Sequence, residues 1–323
     1  MHMKKTLVTL IAACTATSAG TALAEVGPFN IYGQVEARTV DRDDTDLDSF
    51  LDAARLGVKQ SVQLDKFDDL QVRYQIEFDL PTNSTGTDSR DVDEVGVRKA
   101  QINLIGNFGE VIIGRQNHLM AQAKKIDQFK NDSGAFVMGP DRIGNALSYV
   151  TPSFGPVNGF VQVISDVNAD QTTATDDADA TTLGLSVVGE MYDVQASYYD
   201  VSEDFDTDKV ELASVGGSVS LDNLGLFATY QSEDFSNVDM FGIGASYQLN
   251  DTTLKIGYSA TDNDNFNGVL KEGSYVQLLA DYDLGEGVSA FAQYIEYDTD
   301  AETTLDKGDA LSVGIKYVFG TEI

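Results

Sequence analysis

Tryptophan is absent from this 323-residue chain, cysteine occurs once and proline five times. The lone Cys14 falls within an N-terminal leader. There, Lys4 and Lys5 precede the apolar run Leu7–Ala13, and Ala22-Leu23-Ala24 places small residues before Glu25. That is the layout of a secretory signal peptide, which is set aside before the fold is read. A lipoprotein-type cleavage at Ile11-Ala-Ala-Cys14 would leave too short an apolar region and is the weaker reading. Cleavage after Ala24 leaves 299 residues without a thiol, which excludes a disulfide framework and cysteine chemistry. Histidine is nearly missing as well: His118 is the sole one beyond the leader, too few for the usual nucleophile–base pair of a hydrolase. Cationic residues are scarce, at 21 against 52 acidic ones, and removing Lys4 and Lys5 gives 19 − 52 = −33. A nucleic-acid partner is excluded, since phosphates must be met by an excess of Lys and Arg. Beyond residue 24 no run approaches the ~18 consecutive apolar residues of a membrane helix.

What the chain does have is alternation. In Leu311-Ser-Val-Gly-Ile-Lys-Tyr-Val-Phe319, large apolar residues occupy 311, 313, 315, 317 and 319, with Ser312, Gly314 and Lys316 between them. A period of two gives a strand one apolar face and one polar face. Leu70, Val72, Tyr74, Ile76, Phe78 and Leu80 repeat it against Gln71, Arg73, Gln75, Glu77 and Asp79. Sixteen such strands are predicted, at 28–39, 51–65, 69–80, 95–106, 109–117, 142–151, 157–166, 181–189, 192–202, 209–221, 224–233, 237–249, 252–262, 273–284, 287–299 and 308–319. Their connections alternate between short turns and long acidic loops, such as Asp41-Arg-Asp-Asp-Thr-Asp-Leu-Asp48 and 166–179. A soluble sandwich shows the same alternation with the apolar face inward. Length, polar faces rich in Arg, Gln and Glu, and recurrent tyrosines at strand ends favour the lipid-facing version. Tyr32, Tyr149, Tyr199, Tyr230, Tyr258, Tyr282 and Tyr317 are the candidate interfacial girdles.

The expectation is therefore an all-β transmembrane antiparallel barrel of sixteen strands, one domain over 25–323, with short periplasmic turns and long extracellular loops. Hydrocarbon offers no partner to an open strand edge, so the sheet must close. A barrel of this size leaves an aqueous channel. The 24-residue connection 118–141 is the candidate to narrow it, because long loops without strands are usually functional. It is the least acidic of the long loops, with Lys124, Lys125 and Lys130 balancing Asp127, Asp132 and Asp141, and Gly134, Gly139 and Pro140 supplying bends.

Several segments resemble the general diffusion porins of Gram-negative outer membranes. They are Phe29-Asn-Ile-Tyr-Gly-Gln-Val35, Ala54-Arg-Leu-Gly-Val-Lys59, Phe108-Gly-Glu-Val-Ile-Ile-Gly-Arg-Gln116 and Arg142-Ile-Gly-Asn-Ala-Leu-Ser-Tyr-Val-Thr-Pro-Ser-Phe154, in that order around the long loop. The resemblance implies a homotrimer in outer-membrane lipid and lipopolysaccharide, passing small hydrophilic solutes, with the third loop folded inward as an eyelet. It also implies a basic ladder facing loop carboxylates. Arg55 and Arg142 match the family's basic positions, and Lys99 is the fourth-strand choice, because Ala100, Ile102 and Leu104 take the opposite parity. Arg38, Lys59 and Arg73 extend the ladder by geometry, and Asp127 and Asp132 are the acids across the gap. Arg115 has the wrong parity for the pore and is assigned to a subunit interface. Acidic loops at the mouth argue for weak cation selectivity, tempered by the third-loop lysines.

The chain departs from the family pattern in continuing four residues beyond Phe319 and in lacking a Pro-Glu-Phe-Gly-Gly type of loop tip. The segment 41–48 lacks the glycine and glutamate of an EF-hand, so a cofactor is expected only as Ca²⁺ or Mg²⁺ held loosely between acidic loops and lipopolysaccharide phosphates. Alternative readings are a substrate-specific porin, an outer-membrane barrel enzyme and an adhesin.

Overall fold

The computed structural model describes residues 29–43, 46–67, 69–80, 82, 95–130, 137–165, 178–202, 210–234, 237–263, 272–298 and 308–320. The leader read at 1–24 lies outside them. The strands are β1 (Asn30–Arg42), β2 (Asp48–Gln63), β3 (Gln71–Asp79), β4 (Gly96–Gly106), β5 (Gly109–Asn117), β6 (Arg142–Val150), β7 (Val157–Ile164) and β8 (Ala180–Val188) in the first half. The second half holds β9 (Tyr192–Val201), β10 (Val210–Leu221), β11 (Leu224–Glu233), β12 (Val238–Leu249), β13 (Thr252–Asn263), β14 (Gly273–Gly285), β15 (Val288–Tyr297) and β16 (Ala310–Phe319). Each pairs antiparallel with its neighbours in sequence, and β1 pairs with β16 to close the barrel. Turns at Asp222, Asn250 and Glu286 use positive φ, a conformation that Asn and Asp tolerate better than most residues.

The two faces separate as the alternation predicts. Ile113, Leu185, Ile243, Leu278 and Ile315 project outward and stay half-exposed, while Gln75, Gln162, Gln195, Gln231, Gln277 and Gln293 project inward and are buried. An apolar outside around a polar inside is stable only with lipid as the outer solvent. Tyr149, Tyr230, Tyr258, Tyr282 and Tyr317 take the outer face, as a girdle requires. Tyr32 and Tyr199 do not. Tyr32 shares parity with Gln34 and Glu36, and its hydroxyl donates to Glu77 Oε2 at 2.9 Å inside the lumen. Gly57 makes room for that ring, since a Cβ there would run into it. Tyr199 is buried against His118, with ring centroids 4.8 Å apart.

Bulges break the parity at defined points. The register shifts between Glu36 and Ala37 against β2, which leaves Asp52 as the extra residue. It shifts again between Glu77 and Phe78 against β4, which leaves Arg98 as the extra residue. An extra residue re-aims its side chain. Asp52 turns inward to Arg38 at 2.9 Å, with both side chains shut away from solvent.

Candidate functional site

Of the connection 118–141, the described residues 118–130 and 137–141 enter the lumen. A short 3-10 helix, Leu119–Ala123, follows β5 and packs on β8, β9 and β10. Met120, Ile126 and Met138 then join a buried apolar cluster with Ile143, Ile164, Leu212, Phe227, Val238, Met240, Tyr275 and Ile295. This buried apolar cluster is thus the contact between loop and inner wall. Gly216 lets the two meet, because a Cβ there would strike the Ala123 carbonyl.

An irregular segment in a confined space must find partners for its peptide groups. Lumenal side chains supply them. Gln162 Oε1 accepts from Leu119 N at 3.2 Å, and Gln195 Nε2 donates to Leu119 O at 2.7 Å. Thr229 accepts from Ile126 N at 3.0 Å and donates to Ala123 O at 3.1 Å. Gln231 does both for Met138, at 2.8 and 3.1 Å. At the far end, Gln293 Oε1 accepts from Lys130 N at 2.8 Å. The described part of the loop therefore crosses from β5 to the wall near β1, where Lys130 Nζ lies 3.7 Å from Glu36.

At the base of the loop, His118 is fully buried, and its Nε2 shares a 2.8 Å hydrogen bond with Thr182 Oγ1. Burial, and then the Lys124 charge, push its pKa down to about 4. Lys124 donates to Gly139 O at 2.6 Å and to Asp141 Oδ1 at 2.8 Å, which ties the two ends of the loop together. Burial alone would raise Asp141, but Lys124, Arg142 and Arg98 together outweigh it and hold the carboxyl below its ordinary value. Asp127 goes the other way, raised by burial and by Asp141.

The docked loop refuses a proton at His118 that a released loop would take at the ordinary value of 6.5. Docking is therefore at full strength above about pH 6.5 and weakens as pH falls toward 4. A tenfold difference in proton affinity corresponds to about 1.4 kcal/mol, so the loss approaches about 3 kcal/mol. Protease cleavage within 118–141 is expected to rise over that window in the parent and to lose most of that rise in His118→Gln.

The wall opposite the docked loop carries the charge. Arg55 and Arg142 interact with each other through space, and both also interact with Arg98 and Asp79. Arg55 Nε lies 3.4 Å from Asp79, while Arg98 reaches Glu77 at 2.6 Å and Asp79 at 3.5 Å. Lys99 also faces inward, 3.9 Å from Glu77. Lys99 alone is thus an incomplete choice for the fourth strand: the bulge turns Arg98 inward too, and it is Arg98 that joins the other arginines. The remaining ladder candidates face the lumen elsewhere. Arg38 is held by Asp52, Arg73 is paired with Glu110 toward the short-turn end, and Lys59 is buried on β2. Asp127 sits by Lys124 and Asp141, and Asp132 lies outside the described residues. Arg115 points outward, exposed, with Nε donating to Val97 O at 2.8 Å.

The wall acids Glu36, Glu77 and Asp79, and the lysines 255 and 316, were not foreseen as site residues. Their parity was legible: each sits on the polar face of its strand.

Comparison with known proteins agrees with this architecture. No curated protein sequence matches the chain. Salmonella typhi OmpF in complex with daunomycin is similar with a TM-score of 0.73 at 17% identity, covering 90% of this chain and 97% of that one. The trimer form of Vibrio cholerae OmpT gives 0.70 at 18% identity, covering 91% and 100%. The anion-selective porin of Comamonas acidovorans gives 0.67 at 17%, covering 90% and 99%. The sequence itself matches the family described as Gram-negative porin over residues 9–303. With a closed sixteen-strand barrel and a loop-narrowed polar lumen, the chain belongs to the Gram-negative porin family and is an outer-membrane channel.

Proposed function

We propose that the protein is a general diffusion porin, a homotrimer that passes small hydrophilic solutes and ions down their gradients. The observation that carries this is the lumen itself. One half is covered by a loop fixed through its backbone, and the other presents Arg55, Arg98 and Arg142 interleaved with Asp79. Fixed charges of both signs along a loop-narrowed aqueous passage order water and penalise apolar solutes, which sieves without chemistry. His118 does not serve as a catalytic base, since it is shut away from water behind Tyr199 and Thr182. The acids concentrated in the long connections enrich cations at the mouth, so the channel prefers cations weakly.

Single-channel recording in a planar bilayer tests this reading. Large ohmic openings that close in three steps are expected, with a reversal potential slightly on the cation side. Current blocked by one particular solute would move the reading to a substrate-specific porin.

The acidic loops hold Ca²⁺ or Mg²⁺ loosely against lipopolysaccharide phosphates. Chelator is therefore expected to lower trimer heat resistance and to strip lipopolysaccharide. Unchanged retention after chelation would remove the divalent ions from the account.

A further inference from the structure

Beyond the arginine wall, a second group of cations meets at the far end of the loop. A polar cavity of about 290 Å³ lies between loop residues 128–130 and the wall, and its charged lining is Glu36, Arg55, Lys130, Lys255, Asp281 and Lys316. Four cations face two carboxylates there, in a chain whose overall balance is strongly acidic. Both carboxylates are taken by one lysine. Lys130 Nζ lies 3.7 Å from Glu36 and 3.1 Å from Asp281, and it is steadied by the Phe291 ring, with Nζ 4.2 Å from its centroid. Arg55 leans away, toward Asp79.

The other two lysines share those carboxylates only at longer range, Lys255 drawn by Asp281 and Lys316 by Glu36 and Asp281, and neither makes an ion pair of its own among the described residues. Lys255 Nζ donates to the Gln128 carbonyl at 2.8 Å, a contact that neutralises no charge. Lys316 has no carboxylate within 4.0 Å among the described residues, and it projects from the polar face of β16 into the same space. Lys130, Lys255 and Lys316 are close enough to repel one another. A wall built only to hold the loop would be better served there by neutral side chains.

We propose that this cavity binds a compact multivalent oxyanion of the phosphate or pyrophosphate kind, held by Lys130 from the loop, Lys255 from β13 and Lys316 from β16. Lysine meets phosphate as a mobile point charge, and three of them converging from separate elements suit a small anion carrying more than one negative charge. The volume lies at the small end of ligand pockets, which admits a compact anion and not an extended chain. Because the cavity opens beside Arg55, at the narrowed part of the lumen, an occupant stands in the path of ions.

The inference rests on the channel reading, and one experiment separates the two. The full-length protein is reconstituted in a planar bilayer, and its KCl conductance is recorded first. Pyrophosphate is then added at constant ionic strength. Brief, concentration-dependent interruptions of the open current are expected. In K255Q/K316Q the half-blocking concentration is expected to rise by about tenfold or more, with KCl openings retained. K66Q, at an exposed turn outside the lumen, should leave the block unchanged. Should the double variant fail to assemble, K316Q alone is expected to shift the block in the same direction. Pyrophosphate acting no differently from chloride at equal ionic strength would overturn the site, as would equal block in K255Q/K316Q. Absence of KCl conductance would instead overturn the channel reading.

Discussion

Excision of residues 119–138, with a short Gly/Ser linker in their place, is expected to raise single-channel conductance severalfold. A sixteen-strand barrel is too wide for its own side chains to fill, so the free cross-section is set by what lies inside it. Here that is the loop, whose contact with the wall runs from the helix at Leu119 to Lys130 beside Glu36. The same variant should lose heat resistance. Leu212, Phe227, Val238 and Met240 share a buried cluster with Met120, Ile126 and Met138 of the loop, and each such side chain returned to water costs about 1.5–3 kcal/mol. Conductance unchanged in a correctly assembled variant would mean that the narrowing lies elsewhere.

The second large effect concerns charge. Replacing Arg55, Arg98 and Arg142 together with Gln leaves Glu77, Asp79 and Asp141 in command of the constriction. The cation-to-anion permeability ratio should rise well above that of the parent. At about 8 Å through water, one unit charge is worth about 0.5 kcal/mol to a monovalent ion, so three shift cation and anion by roughly tenfold each in opposite senses, about a hundredfold in the cation-to-anion permeability ratio before salt screening reduces it. The wall should survive the change, since Glu77 keeps Lys99 at 3.9 Å and the Tyr32 hydroxyl at 2.9 Å. Reversal potentials under a salt gradient read the result directly. A ratio that stays at the parent value would place selectivity in the outer loops, not at the constriction.

The strands, their number and their facing were legible in the sequence because lipid on one side and water on the other enforce a strict period of two. The site was legible where that period holds: Arg55 and Lys99 fall inside as parity requires. It was not legible at Arg98. One extra residue opposite Glu77 turns two successive side chains the same way, and no pattern in residues 96–106 announces the bulge. The sequence holds a second signal. Leu212, Phe227, Val238 and Met240 sit at lumenal parity yet are apolar, which is out of place in a water-filled tube unless something covers them. They trace the footprint of the loop. The tyrosines mislead for a related reason: Tyr32 and Tyr199 near strand ends look like girdle residues, and only their neighbours' parity shows that they point inward.

The seam has its own consequence. The first strand finds its second partner only in the last, with Gly33 opposite Phe319 and Arg42 opposite Ala310. Until those final residues have been made and exported, two unpaired edges remain, and hydrocarbon tolerates neither. Insertion therefore cannot proceed strand by strand as the ribosome delivers the chain. The whole polypeptide must be kept from collapse and aggregation until its ends can meet, which makes the timing of assembly a property of topology and places its burden on whatever escorts the unfolded chain.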